Sequence, residues 1–310
     1  MRRTLLFLAA LLVFPATAAA ESPRAIQVSG GIELGKRTYV LKGQRVTLQG
    51  ARPFADSGFV TATVMSHGRQ VVARTKLRGK VGAVGGVKLH FTARRTGTYK
   101  VAIRVFKDTD PKHLVAGKLI AVHVVDPHPT AGSHGLGVKL LQKGLHSLAY
   151  VTPQNGVFGP ATSRAVLAYR KANSMSRTMS ADHSVLAKLF QGEGGFALRY
   201  PNSGKHVEFD WSRQVLVLAD GGRPVRIYHA SSGKPSTPTV FGTFHFYSKT
   251  PGTNAKGMVD SSYFIRGYAI HGYAEVPPYA ASHGCIRVPV PDALSIYNWI
   301  NLGDTIFIYQ

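Results

Sequence analysis

The sequence predicts a predominantly β protein that is interrupted by one helical segment. Between about residues 25 and 126, apolar and polar side chains alternate in short runs such as Tyr99–Val105. Apolar residues then recur at helical spacing between residues 135 and 192. Alternation returns over residues 201–310. The chain is therefore expected to hold two mostly β domains with a small helical domain between them.

The first domain is predicted as a small β-sandwich over residues 25–126. Its clearest strands are Arg45–Leu48, Phe59–Val64 and Leu119–Val125, and Ser66-His67-Gly68 is typical of a turn. Many short strands at this spacing favour an immunoglobulin-like sandwich. No catalytic constellation is found in its sequence, so a spacer or positioning module is expected.

The N-terminus has the pattern of an export signal over residues 1–20. Arg2 and Arg3 precede the apolar run Leu5–Phe14, and Ala18-Ala19-Ala20 fits a cleavage site for small residues. The run is short for a membrane span, although an uncleaved anchor is the alternative. The protein is thus expected to be exported to the cell envelope, in the periplasm or cell wall.

The chain is strongly basic. Its formal net charge is +23, and removal of residues 1–20, which hold two arginines and no acidic residue, lowers it to +21. Such a charge favours anionic partners, and anionic wall polymers are the first that an exported protein of a bacterial envelope meets. No nucleic-acid-binding motif is visible, and no membrane partner is expected beyond the signal anchor. The alternative is that the charge only keeps the protein soluble.

The middle of the chain begins with a predicted linker over residues 127–134, which is polar and contains two prolines. Helical spacing then follows, and three sequence features stand out: Leu141-Gln142, Gly156-Val157-Phe158-Gly159, and Ala165-Val166 with Tyr169. Residues 135–192 thereby resemble the small three-helix peptidoglycan-binding domain of bacterial wall enzymes. The resemblance implies wall binding.

The last domain, residues 201–310, is predicted as mostly β with one short helix. Asp220-Gly221-Gly222 lies between two alternating runs and is typical of a hairpin turn. Asp292–Ile300 has helical spacing, and Thr305–Tyr309 has the pattern of a final strand.

Cys285, the only cysteine, is the principal candidate for chemistry in this domain. A lone thiol in an exported chain cannot form an intramolecular disulfide, and its alternative to reactivity is a small buried apolar residue. His271 and His283 are candidate bases for it, because a thiol needs deprotonation and histidine titrates near neutral pH. Arg287 could hold a substrate carboxylate, and the N–H groups of Gly284 and Cys285 could stabilise an oxyanion. This set predicts acyl transfer through a thioester.

Metal binding is the competing interpretation of the same residues, since cysteine and histidine are zinc ligands. The sequence offers no second cysteine and no spaced acidic or histidine ligands. No metal site is therefore expected.

The same stretch resembles a family of bacterial cell-wall enzymes. His271-Gly272 is followed by the run Ser282-His283-Gly284-Cys285-Ile286-Arg287-Val288, and Thr237-Pro238 with Gly242 precedes both. This order is similar to that of the L,D-transpeptidase (YkuD-like) catalytic domain over about residues 207–309. The resemblance implies a YkuD-like β-sandwich with one short helix.

The resemblance also implies roles. Cys285 would be the nucleophile, and His271 the base, oriented by a backbone carbonyl near Gly272. The N–H groups of His283, Gly284 and Cys285 would form the oxyanion hole, which Ser282 and His283 also shape. Arg287 would help to hold the substrate.

Four tyrosines near the site could either pack in the core or line the substrate groove: Tyr263, Tyr268, Tyr273 and Tyr279. Of these, Tyr263 is assigned to substrate binding. His229 and His245, on predicted strands, are expected to be structural.

The implied reaction forms 3–3 cross-links between peptidoglycan stems without a cofactor. The donor would be a tetrapeptide stem that loses its terminal D-alanine, and the acceptor an amine on another stem. The sequence leaves open water as the acceptor, which gives an L,D-carboxypeptidase, or a lysine of a wall protein. A cysteine endopeptidase and a non-catalytic wall-binding protein are the further alternatives.

Overall fold

The computed structural model describes residues 27–50, 59–77, 87–106, 110 and 112–310. The predicted signal peptide, residues 1–20, lies outside the described residues. So does the predicted start of the first domain at Ala25.

Two sheets form the N-terminal region. Its strands are β1 (Gln27–Ser29), β2 (Ile32–Leu34), β3 (Arg37–Leu41), β4 (Arg45–Gly50), β5 (Phe59–Ser66), β6 (Arg69–Leu77), β7 (Val87–Thr92), β8 (Gly97–Phe106) and β9 (Leu114–Val125). One sheet has the order β1-β4-β7, and the other has the order β2-β3-β9-β8-β5-β6. Apolar side chains from both sheets, such as Leu48 and Val101, share one buried core. This is a β-sandwich, and its immunoglobulin-like character stays a prediction.

The helical region contains α1 (Leu136–Ser147), α2 (Pro160–Ala172) and α3 (His183–Phe190). Buried Gln142 explains the leucine-glutamine feature, because its side-chain amide bonds the loop before α2. Its Oε1 accepts from the N–H of Gly156, and its Nε2 donates to the carbonyl of Val157 and to Thr162 Oγ1. Asp182 caps the N-terminus of helix α3, and its carboxylate accepts the N–H of Val185 at 3.2 Å.

The C-terminal region has two sheets and one helix. Its elements are β10 (His206–Asp210), β11 (Val215–Asp220), β12 (Arg223–His229), β13 (Gly242–His245), β14 (Ser248–Thr253), β15 (Val259–Ile265), β16 (Tyr268–Tyr273), β17 (Ile286–Pro289), α4 (Val290–Trp299) and β18 (Thr305–Tyr309). The sheet orders are β12-β11-β10-β18-β13 and β14-β15-β16-β17. The strands β16 and β17 run parallel. Side chains of both sheets and of α4 form a common core.

Strand β11 shows why the helical region packs where it does. All side chains from Val215 to Ala219 are buried, so both faces of this strand are covered. Leu216 and Leu218 point into the core between the two C-terminal sheets, whereas Val215 and Val217 lie in a core shared with the helices. The predicted hairpin at Gly221 and Gly222 connects β11 to β12.

The helical region also pairs with the sheet edge. Residues 149–151 run beside β12, where Ile227 donates to the carbonyl of Ala149 and accepts from the N–H of Val151. The side chain of Arg164 in α2 meets Asp292 in α4 through two hydrogen bonds of 3.0 and 3.2 Å. Within the described part of the chain, no helix has the length and apolar character needed to span a membrane.

Candidate active site

The parallel strands β16 and β17 carry the two principal candidate residues of the site. His271 lies in β16, and its register partner in β17 is Arg287. Cys285 directly precedes β17, two residues before Arg287. The site is thus built on two rigid, hydrogen-bonded strands.

The His271 ring is fixed by the backbone. Its Nδ1 lies 2.9 Å from the carbonyl oxygen of Gly272, which can only accept, so Nδ1 carries the proton. The neutral ring therefore presents Nε2 as a proton acceptor. His271 is 3% exposed. Burial is the main cause that lowers the pKa of His271, and the positive charge of Arg287 lowers it further.

The Cys285 thiol is partly buried against the turn between β15 and β16. Its Sγ lies 3.7 Å from the carbonyl oxygen of Gly267. Burial raises the pKa of Cys285, while the N–H of Ala269 and the charge of Arg287 oppose that rise. The free thiol is consequently protonated near neutral pH and needs a base.

A tight turn carries the chain into Cys285. The hydroxyl of buried Ser282 donates to the Cys285 carbonyl at 2.5 Å and accepts the N–H of Gly284 at 3.1 Å. Gly284 has a φ of 119°, and a Cβ there would lie 1.9 Å from the Tyr268 ring. Only glycine meets both demands.

The backbone N–H groups of this turn differ in their hydrogen bonding. The N–H of Gly284 is already used by Ser282, because the turn folds back on that hydroxyl. No hydrogen bond from the N–H of His283 or of Cys285 is found among the described residues. The side chain of His283 is exposed. The N–H groups of His283 and Cys285 are therefore left without a hydrogen-bond partner in this described turn.

Arg287 stacks on an aromatic ring. Its Cζ lies 4.0 Å from the centre of the Tyr273 ring, and that ring meets the His271 ring edge to face at 5.7 Å. The Tyr273 ring therefore contacts both the guanidinium and the imidazole. Sequence reasoning left the role of Tyr273 open, and the structure assigns it this contact.

Three further residues named from the sequence are Gly272, Tyr263 and Tyr279. Gly272 packs under α4, where a Cβ would lie 2.8 Å from that of Ala293. Tyr263 in β15 is the register partner of Ala269, and its ring lies 6.4 Å from that of Tyr247. Tyr279 is 61% exposed.

Residues 229–239 support residues 281–287, the stretch that contains Cys285. Sequence reasoning largely missed this support. Ser231 and Arg287 exchange backbone hydrogen bonds, and the Ser232 carbonyl accepts the N–H groups of Ala281 and Ser282. The Thr237 hydroxyl donates to the Ser282 carbonyl at 3.0 Å, and the Thr239 hydroxyl donates to the Gly284 carbonyl at 2.7 Å. The threonine-proline feature was the only sequence signal for this support.

Groups of three or more histidine, cysteine, aspartate or glutamate side chains that could hold a metal ion are not found in the ranges that the structure describes. The site residues thus offer a thiol, an imidazole, a guanidinium and backbone N–H groups. Chemically, this set can deprotonate a nucleophile and stabilise an acyl intermediate.

Comparisons with known proteins agree with this geometry. The family profile of the L,D-transpeptidase catalytic domain, YkuD, matches residues 204–308, and that of the peptidoglycan binding domain matches residues 134–189. No curated protein matches the chain.

Solved structures give a second comparison. An L,D-transpeptidase from Xylanimonas cellulosilytica is 32% identical, with a TM-score of 0.54, and the match covers 60% of this chain and 98% of that one. An L,D-transpeptidase from Stackebrandtia nassauensis is 21% identical, with a TM-score of 0.38, over 60% of this chain and 98% of that one.

The match to the Xylanimonas protein shows that this chain belongs to the L,D-transpeptidase family. It carries an acyltransferase domain and a peptidoglycan-binding domain, so peptidoglycan is its partner. These domains indicate a cell-wall location.

Proposed function

We propose that this protein is an exported enzyme that forms 3–3 cross-links in peptidoglycan through a thioester on Cys285. The observation that supports the proposal is the pairing of β16 with β17, because His271 lies in β16 with its ring oriented by Gly272 and Cys285 directly precedes β17. Family membership supports the reaction class.

The first step would be attack on the donor stem. His271 Nε2 takes the proton of the Cys285 thiol as Sγ bonds to the carbonyl carbon of the third residue. Because burial lowers the pKa of His271 and raises that of Cys285, the resting pair is neutral and proton transfer accompanies attack. His271 then gives the proton to the departing amine, and D-alanine leaves.

The surroundings would stabilise this step. The N–H groups of His283 and Cys285 are available to the oxyanion, and Ser282 keeps the turn in shape. Arg287, held against Tyr273, supplies a fixed cation for a stem carboxylate. Tyr263 would contact the stem further along the sheet.

The second step would resolve the thioester. An amine of another stem attacks the thioester carbonyl, His271 takes its proton, and the released thiol regains that proton. The same thioester yields a free tripeptide with water, or a protein attached to the wall with a lysine amine. The mass of the product distinguishes these outcomes.

Wall contact would involve two features besides the catalytic domain. The peptidoglycan-binding region would bind the polymer directly. A cleft of about 690 Å³ in the N-terminal region is lined by Lys42, His67, Arg69, Arg94, Arg95 and Thr96. Lys42 is paired with Asp126, whereas Arg69, Arg94 and Arg95 are exposed. This cleft would attract anionic wall polymers, with an affinity that falls as salt rises.

Digestion of purified sacculi tests the function. Wild-type protein and Cys285→Ala are incubated separately with sacculi, the glycan chains are then cleaved by a muramidase, and the released fragments are read by mass spectrometry. New 3–3 dimers with wild type alone support the proposal. Tripeptides without dimers indicate a carboxypeptidase, and no change with either protein contradicts it.

A further inference from the structure

A lysine of the helical region is buried at its contact with the C-terminal region. Lys171, in the last turn of α2, is 2% exposed, although lysine is almost never fully buried without partners. Its Nζ lies 2.7 Å from Nδ1 of His229 and donates to the carbonyl of Ala230 at 2.8 Å. This contact joins the helical region to the end of β12.

The His229 ring bonds both Lys171 and residues 274–281, which form the loop between β16 and the turn before Cys285. Because Nζ of Lys171 donates to Nδ1, that atom is the acceptor and Nε2 carries the ring proton. His229 Nε2 then donates to the carbonyl oxygen of Val276 at 2.8 Å. Val276 lies between β16 and β17, in the loop that connects His271 to Cys285.

The charges at this contact favour a fixed hydrogen-bond path. Burial lowers the pKa of Lys171, and burial followed by the nearby Lys171 lowers the pKa of His229 to about 3. His229 is therefore neutral near pH 7 and keeps one tautomer. A buried amine without these two acceptors would lose much free energy of folding. The Lys171 amine is therefore held firmly against His229 Nδ1 and the Ala230 carbonyl.

The two parts of the loop, a first half of residues 274–278 and a second half of residues 279–281, are held by different segments of the chain. Its second half bonds to the segment before β13, through Ser231 to the Tyr279 carbonyl and through Ser232 to Ala281. Its first half is held by His229 at Val276 and by Arg177, which donates to the Pro278 carbonyl at 2.7 Å. Arg177 also belongs to the helical region. The first half, next to Tyr273 and Arg287, thus depends on that region.

We infer that Lys171 is a positioning residue, which acts through His229 to fix the first half of the 274–281 loop as a wall of the substrate groove. The peptidoglycan-binding region is then a structural part of the groove as well as a wall-binding module. The importance of this wall for catalysis rests on the proposed function. The fixing of the loop by Lys171 does not.

Replacement of Lys171 in the full mature chain tests the inference. Lys171→Met keeps an unbranched side chain of similar length but removes both hydrogen bonds. Hydrogen exchange should become faster at the N–H groups of residues 274–276, since Pro277 and Pro278 have none, with the remaining exchange pattern unchanged. With a soluble tetrapeptide donor, KM should rise about ten-fold for the loss of one anchoring hydrogen bond, and kcat should change less than two-fold. Alkylation of Cys285 by iodoacetamide should keep its rate, because the thiol itself is not moved.

Arg164→Met is the matched control. Arg164 also joins α2 to the C-terminal region, but its side chain bonds Asp292 in α4 and makes no hydrogen bond to residues 274–281 in the described structure. This variant should leave exchange at residues 274–276 and KM at wild-type values. If loop exchange became equally faster in Lys171→Met and Arg164→Met, the effect would belong to the whole interface, and the inference would be overturned.

A second pair of variants covers failure of Lys171→Met to fold. In His229→Gln, the side-chain amide can still donate to the Val276 carbonyl, whereas His229→Phe cannot. Faster loop exchange in His229→Phe than in His229→Gln supports the inference, and equal exchange contradicts it. A folded Lys171→Met with wild-type loop exchange also contradicts it. If wild type transfers no stem peptide, the proposed function fails, while the exchange comparison still decides this inference.

Discussion

His271 and Arg287 lie directly opposite each other on the parallel strands β16 and β17. The ring of Tyr273 contacts both the Arg287 guanidinium and the His271 imidazole. The charge of Arg287, the cation that we propose to bind the substrate, therefore bears on the protonation of the candidate base.

Replacement of Arg287 should shift the pH profile of the reaction. The charge of Arg287 lowers the pKa of His271, so Arg287→Gln should raise that pKa towards its ordinary value. Since the base must be neutral, the acidic limb of kcat/KM should move to higher pH. Initial rates between pH 4 and 8 measure this limb. Arg223→Gln, at the far end of β12, is the control, and an unmoved limb in Arg287→Gln would contradict the coupling.

The two histidines should differ in their effect on turnover. His271→Ala should lower kcat by about two to four powers of ten, as expected for loss of a general base. His283→Ala should cost much less, because its side chain is exposed and the proposed contribution of His283 is a backbone N–H. Turnover of a soluble tetrapeptide by both folded variants measures the difference. A larger loss in His283→Ala would reverse the assignment.

Gly284 should tolerate no side chain. In Gly284→Ala, the new Cβ would meet the Tyr268 ring at 1.9 Å, in a backbone conformation that favours glycine. The turn before Cys285 must then shift, so activity should fall by at least about ten-fold, because small displacements at reacting groups cost large rate factors. In the control Gly195→Ala, the new Cβ meets only a Leu148 methyl at 3.7 Å. Similar activity in both variants would show that the turn is not required.

Periodicity predicted much of the C-terminal fold, and packing decided the rest. The Gly221-Gly222 hairpin, the short helix near Asp292 and the last strand all form, with the helix beginning at Val290. Strand β14, with its exposed Pro251 and Gly252, has no apolar alternation and was missed. Gly159 caps α2 without a side-chain hydrogen bond, and Thr162 in the first turn is buried against Gln142, a contact that periodicity does not contain.

The candidate site could be predicted where one residue type carries the chemistry. Cys285, His271 and the orienting carbonyl of Gly272 follow from the motif, and the structure has the His271–Gly272 hydrogen bond at 2.9 Å. The supporting contacts could not be predicted in this way. Thr239 and Lys171 bond to residues 45 and 58 positions away, and neither spacing nor periodicity contains that information.

Truncation should show that the helical and C-terminal regions are not independent. Modules that are joined flexibly would allow residues 201–310 to work alone on small stem peptides. The shared core argues against this, because the fragment would expose Val215, Val217 and Ile227, which are fully or almost fully buried in the whole chain. Exposure of three such side chains costs about 5 kcal/mol, which is comparable to the stability of a whole domain.

Urea unfolding of two fragments measures this dependence. Residues 134–310 retain the helices and should unfold cooperatively, whereas residues 201–310 should have a much lower midpoint or aggregate. Equal midpoints would show that the shared core contributes little, and the C-terminal region would then be an autonomous domain.

The central claim is that Cys285 carries the acyl group, and intact-protein mass spectrometry tests it most directly. The mature chain is mixed with a soluble tetrapeptide stem, quenched in acid within seconds and digested for peptide mapping. The expected result is a mass increase equal to the tripeptide acyl group, located on the peptide that contains Cys285, together with free D-alanine. An adduct on another residue, or release of D-alanine by Cys285→Ala, would contradict the account.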